Sequence, residues 1–110
     1  MCTYTVNITE EALADMESIY NYIANNLQAP GNANGQYSRI ANAILSLEAY
    51  PDRFGLFISE PEYSRGIHKM IVDNYIVCYV IDYDIKVVTV IDVLYGASDI
   101  HSRLNERHEL

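Results

Sequence analysis

A chain of 110 residues, half of them hydrophobic and a fifth charged, has the balance of a folded globular protein and the size of one domain over residues 1–110, enough to bury roughly two thirds of its unfolded surface. Fifteen Asp and Glu against seven Lys and Arg give a net charge of −8, and no basic residue precedes Arg39, so free DNA or RNA is repelled while a basic partner is drawn in. No apolar run approaches the ~20 residues that cross a bilayer, and the amino terminus has neither the basic start nor the apolar stretch of a secretory signal, so a cytoplasmic protein with no membrane partner is expected.

In that compartment Cys2 and Cys78 are expected as buried thiols, because they can pair only if the first strand lies beside the third. Residues Thr3 to Ile8 set Tyr4, Val6 and Ile8 against Thr3, Thr5 and Asn7, the alternation of an edge strand with one covered face. Thr9 then caps a helix that runs to about Leu27. Glu10, Glu11 and Asp15 sit near its positive end, and Leu13, Met16, Ile19, Tyr20, Ile23 and Leu27 recur at helical spacing. Gln28-Ala29-Pro30-Gly31 makes the turn, and a second helix starts near Asn32 or Asn34. Its apolar positions Tyr37, Ile40, Ala41, Ile44, Leu47 and Tyr50 hold the period until Pro51. Two such helices joined by a short turn form an antiparallel hairpin.

Residues 51–63 (PDRFGLFISEPEY) have no period and read as a loop with Phe54, Leu56 and Phe57 tucked inward. From Ser64 the alternation returns through Ile67, Lys69 and Ile71, turns at Asp73-Asn74, runs from Tyr75 to Ile81, turns at Asp82-Tyr83-Asp84, and runs again from Ile85 to Tyr95. This predicts a three-stranded antiparallel meander. Its middle strand is apolar on both parities, as when both neighbours are strands and both faces are covered. One face takes the helical hairpin; something else is expected to shield the other, which is the side available to a protein partner. The polar tail SDIHSRLNERHEL can form a short helix with Ile100 and Leu104 on one side.

The order strand, helix, helix, meander, with "ALADMESIYNYIANNL", the "I..LEAYP" end of the second helix, "SRGIHKM", the Asn-Tyr opening of the third strand and "VLYG" followed by Asp99, resembles the RelE/ParE family of toxins from type II toxin-antitoxin modules of the plasmid-stabilisation type. The resemblance implies an α+β fold with the meander packed on the hairpin. It implies growth inhibition, a cognate antitoxin partner, and no metal or organic cofactor. RelE-like members cut messenger RNA in the ribosome, whereas ParE-like members poison DNA gyrase. The chain is therefore expected to be a toxin directed at gyrase, with a ribosome-dependent endoribonuclease and a detoxified antitoxin-binding module as the alternatives.

Metal-free RNA cleavage needs a base near the 2′-hydroxyl, an acid for the leaving oxygen, and cations around the phosphate. RelE-like proteins supply these with Arg, Lys and Tyr or His. Where the resemblance leads us to expect cations, this chain has Ile76 on the third strand, Asp92 on the fourth, and Ala97-Ser98 after the glycine. The candidates that remain for a nuclease are Arg65, His68, Lys69, Tyr95, His101 and Arg103. Each also reads as an ordinary surface or core-rim residue. "NYIVCY" resembles the ParE-like third strand, and ParE-like members rely on the tail, here carrying Arg103 and Arg107. The ten tyrosines are a separate signal, since Tyr is enriched in interfaces. Tyr20, Tyr22 and Tyr37 on the hairpin are expected to face a partner, with an extended antitoxin segment bearing Lys or Arg lying across hairpin and sheet.

Overall fold

The computed structural model of the chain describes residues 3–56, 65–96 and Leu104. Strand β1 (Thr5–Ile8) leads into α1 (Glu10–Asn21), which a π-helical turn over Tyr22–Asn26 prolongs, and then into α2 (Pro30–Leu45). After short 3-10 turns at Ser46–Glu48 and Pro51–Arg53 come β2 (His68–Val72), β3 (Tyr75–Asp82) and β4 (Val87–Tyr95). The sheet order is β1-β4-β3-β2. The meander is antiparallel, and β1 joins it at the edge, parallel to β4. Because β4 separates β1 from β3, the topology does not meet the condition for joining Cys2 to Cys78. Cys78 is buried, and Cys2 lies outside the described residues.

Strand β1 covers only the first part of β4, pairing from Thr5 with Val87 to Ile8 with Val90. Beyond that point the backbone of β4 must find other partners. Thr9 supplies one, donating from Oγ1 to the Ile91 carbonyl at 3.3 Å while accepting from Ala12 N at 3.2 Å. The predicted cap of α1 therefore also ties the helix to β4. Asp15 supplies the next, its carboxylate accepting from Val93 N at 3.0 Å. An acidic residue expected only to favour the helix dipole thus acts as a substitute for a missing strand.

Helix α2 begins at Pro30, earlier than expected. Proline is preorganised for the first helical position, where its missing N–H is no loss. The turn is made instead by Gln28, at φ 52°. The second helix also ends sooner than its apolar period suggests. Leu47 is buried in a 3-10 turn, but Tyr50 does not continue the buried stripe: it is exposed, in the left-handed region at φ 50°. The Arg53 guanidinium donates to the Ser46 and Ala49 carbonyls, satisfying the end of the helix much as a capping residue would. Phe54 and Leu56 are half-buried as expected. Phe57 lies outside the described residues.

The main core lies between helices and sheet: Ala12 and Met16 from α1, Ile40 and Ile44 from α2, and Leu47, packed on Met70, Val77, Tyr79, Val88, Val90 and Val93. The other sheet face is shielded too, from within the chain and not by a protein partner. A second cluster there joins Ile67, Cys78 and Leu94 to Leu104, all at 2% exposure or less. A residue of the polar tail reaches back to seal the face. Among the described residues, no helix is long and apolar enough to cross a membrane.

Candidate functional site

One end of the sheet gathers the β2–β3 turn, the end of β4 and the tip of the helical hairpin. Asp73 takes the left-handed region at φ 55°, which Asp and Asn tolerate in tight turns. Gly96 N donates to the Asn74 carbonyl at 2.8 Å. A Cβ at Gly96 would stand 3.1 Å from that carbonyl oxygen, so the glycine after "VLY" allows the strand end to close against the turn. Tyr75 and Tyr95 are in register with rings 5.8 Å apart. Burial, and then the proximity of Tyr95 and Tyr22, raises the Tyr75 hydroxyl above the ordinary phenol value, so it stays a protonated donor at neutral pH. These rings wall an open groove of about 880 Å³ whose apolar floor includes Ile19, Ile23, Val93 and Leu94.

A polar network fixes one wall. Arg39 Nε donates to Asp73 Oδ2 at 2.7 Å, Gln36 Nε2 donates to the same oxygen at 3.0 Å, and Arg39 Nη2 reaches Gln36 Oε1 at 3.3 Å. Residues three apart on a helix share a face, so Gln36 and Arg39 together clamp α2 to the hairpin turn. The Arg39 hydrogen bond, helped by Gln36, holds the Asp73 carboxyl below the ordinary carboxylate value. A carboxyl depressed in the folded state adds stability at pH above its unfolded value and loses it as pH falls through the folded one. An NMR titration of the Asp73 carboxyl carbon should therefore give a midpoint below that of Asp in an unstructured peptide. Arg39→Gln should raise it, and an unchanged midpoint in the variant would contradict this account.

The residues singled out for RNA chemistry are spread over different surroundings. His68 is buried at the start of β2, its Nδ1 2.8 Å from the Phe54 carbonyl and its ring stacked on Tyr79 at 5.1 Å. Lys69, half-buried, is in register with Cys78, whereas His68 is in register with Tyr79. Successive strand residues point to opposite faces, so these two do not meet. Arg65 is exposed in the turn before β2. Tyr95 is exposed at the rim of the groove, and Tyr75, its register partner, lies four residues along β3 from the Tyr79 that stacks on His68, about 13 Å at strand rise. His101, Arg103 and Arg107 lie outside the described residues, as do Tyr63 and Ala97 to Asp99.

The hairpin tyrosines fall in two places. Tyr20 and Tyr37 meet edge to face at 6.2 Å beside a shallow hollow that Glu17, Asn21 and Asn34 also line. Tyr22, in the π-helical turn, is on the 880 Å³ groove. Asp92 is fully buried, in register with Cys78. A bulge puts it there: the register shifts between Cys78 and Tyr79, leaving Ile91 without an opposite residue on β3, so that Val88 and Val90 pack on the helical side while Ile91 and Leu94 pack on the other. Sequence reasoning passed over Gln36, Asp73 and the groove role of Tyr75. The signal for the first two was the three-residue spacing of Gln36 and Arg39 and the Asp-Asn turn, but only the fold brings them together. Among the described residues, no group of three or more His, Cys, Asp or Glu is placed to hold a metal.

With this geometry in hand, the similarities to known proteins are informative. The family model described as the ParE toxin of the type II toxin-antitoxin system parDE matches residues 6–100. Among solved structures, the chromosomal ParDE toxin-antitoxin system of P. aeruginosa has a similar fold, with a TM-score of 0.70 at 16% identity over 86% of this chain and 98% of that one. A double Arg-to-Ala mutant of the E. coli toxin RelE in the free state superposes with a TM-score of 0.64 at 16% identity, over 96% and 98% of the two chains. The RelBE2 toxin-antitoxin complex of Mycobacterium tuberculosis gives 0.60 at 20% identity, over 84% and 98%. No curated protein sequence matches.

Proposed function

Because the chain belongs to the ParE toxin family of type II toxin-antitoxin systems, we propose that it arrests growth in the cytoplasm by binding DNA gyrase stoichiometrically and is neutralised by a cognate antitoxin. As a toxin of this family it has an antitoxin as its partner; the target is the part of the reading that goes further. The observation that carries it is the fate of the two positions where a nuclease would hold cations. Ile76 packs against the second apolar cluster, and Asp92 is fully buried opposite Cys78. A phosphate in a five-coordinate transition state needs preorganised positive charge, and neither an Ile nor an Asp side chain brings any.

The described cations support the same reading. Three of the five described Lys and Arg are engaged elsewhere: Arg39 is paired with Asp73, Arg53 donates to backbone carbonyls, and Lys86 lies over the Tyr4 ring. The other two, Arg65 in the turn before β2 and Lys69 within it, belong to a different strand from Asp92 and Tyr95. Tyr20, Tyr22 and Tyr37 are proposed as contacts for the antitoxin, and Arg103 and Arg107 as contributions of the tail to binding. Purified toxin titrated into a gyrase supercoiling reaction should abolish supercoiling near equivalence, with rescue by the antitoxin and with message intact on translating ribosomes. Cleaved message with unaffected gyrase would overturn the proposal in favour of a ribonuclease built on Arg65, His68, Lys69, Tyr95, His101 and Arg103. If neither assay responds and expression is harmless, the chain is a detoxified antitoxin-binding module.

A further inference from the structure

The opposite end of the molecule, where β3 turns into β4, carries a feature the toxin reading does not use. Large apolar side chains stand in solvent there: Tyr83 at 54% exposure, Ile85 at 67% and Tyr50 at 67%. Single exposed apolar residues are ordinary, but a group of them at one place marks an interaction surface. Three segments bring them together. Tyr4 N donates to the Glu48 carbonyl, the Tyr4 and Tyr83 rings meet edge to face at 6.5 Å, and burial, then the proximity of Asp52 and Tyr4, raises the Tyr83 hydroxyl above its ordinary value.

Local hydrogen bonds and backbone geometry shape this end. The Asp82 carboxylate accepts from Asp84 N at 3.0 Å and from Ile85 N at 3.3 Å, the side-chain turn that short Asp residues make. Tyr50 is held in the left-handed region at φ 50°, a conformation costly for a non-glycine residue. Rigid aromatic anchors lose little entropy on binding.

Charge decides what fits. Glu48, Asp52, Asp82 and Asp84 are all exposed around the anchors. Two cations stand nearby, Arg53 on backbone carbonyls and the Phe54 ring and Lys86 over Tyr4, so the four carboxylates outnumber them and the end stays acidic. A second copy would bring like charge against like, and a nucleic acid would be repelled. We propose that this hairpin end is a docking surface for a protein segment carrying Lys or Arg beside an apolar side chain, which inserts next to Tyr83 and Ile85. The site lies at the far end of β4 from the Tyr75–Tyr95 groove and does not depend on which target the toxin inhibits.

The test uses a short fluorescent peptide alternating Lys with Leu, followed by anisotropy at low salt, on the whole chain. Because a chain of net charge −8 attracts any basic peptide, the informative variants are uncharged. Tyr83→Ser combined with Ile85→Ser should weaken binding about tenfold, as loss of an interface hot spot does, with an unchanged melting temperature. Leu27→Ser, at the other end of the sheet, should leave affinity as it was, and a peptide with Ser in place of Leu should bind the parent chain about as weakly as the double variant binds the original. Equal binding by parent and double variant would overturn the proposal. So would sedimentation showing a dimer of the toxin that the same double variant abolishes, since the occupant would then be a second copy.

Discussion

Tyr79→Ala is expected to cost about 3–5 kcal/mol of folding stability, the usual range for removing a buried aromatic from a core. Tyr79 is at the middle of β3 with no exposed surface, so its loss leaves a cavity between the sheet and the 51–54 segment. Two further contacts go with it. The ring stacks on His68 at 5.1 Å, and the hydroxyl donates to the Pro51 carbonyl at 2.6 Å. Burial raises the Tyr79 hydroxyl well above the ordinary phenol value, so it remains a donor at neutral pH. Tyr79→Phe isolates the hydroxyl and should cost about 1–3 kcal/mol, because the Pro51 carbonyl is then buried without its partner. Urea unfolding of the two variants gives both numbers. If the Phe variant matches the parent, the carbonyl has another partner and the hydrogen-bond part of this account is wrong. For a domain whose total stability is about 5–15 kcal/mol, the Ala variant gives up a large share of it, and its level in the cell should fall accordingly.

Leu104→Ala is expected to cost about 2–5 kcal/mol, a large effect for a residue in a polar tail. Leu104 is fully buried against Ile67, Cys78 and Leu94, and it covers the sheet face on which Ile76 packs. Removing it opens a cavity next to the Cys78 thiol, which gives a readout independent of unfolding. In a Cys2→Ser background the remaining cysteine is Cys78, and its reaction with a thiol reagent under native conditions should be faster in the Leu104→Ala variant than in the parent. Equal rates would mean that Leu104 does not protect this face. A faster rate without loss of stability would mean that the tail leaves the sheet readily, and the 2–5 kcal/mol estimate would fail.

The two predictions concern residues with opposite histories in the sequence. Tyr79 belongs to a strand apolar on both parities, so its burial follows from pattern alone. Leu104 sits among Arg103, Asn105 and Glu106; its four-residue spacing from Ile100 marks one side of a short helix, but nothing local says what that side meets. The likeness to a toxin family could be read from ordered fragments spread along the chain, and the family match over residues 6–100 agrees with it. The groove could not be read. Its network joins Gln36 and Arg39 to Asp73, more than thirty residues apart in sequence, and a contact at that separation leaves no trace in local spacing.

By itself the sequence determined what depends on near neighbours. The alternation of Tyr4, Val6 and Ile8, the cap at Thr9, the helical stripe through Met16 and through Ile40 and Ile44, and the Asp73-Asn74 and Asp82-Tyr83-Asp84 turns are all local choices, each made by backbone sterics and the side-chain period. Tertiary structure alone decided what depends on which faces meet. It set β4 between β1 and β3, bulged β4 at Ile91 so that Asp92 is buried opposite Cys78, turned Asp15 into a partner for the Val93 N–H, and stopped the buried stripe before Tyr50. The reason is that pairing and register are chosen by the burial they allow and the backbone groups they leave to be satisfied, and both are properties of the assembled sheet and helices together.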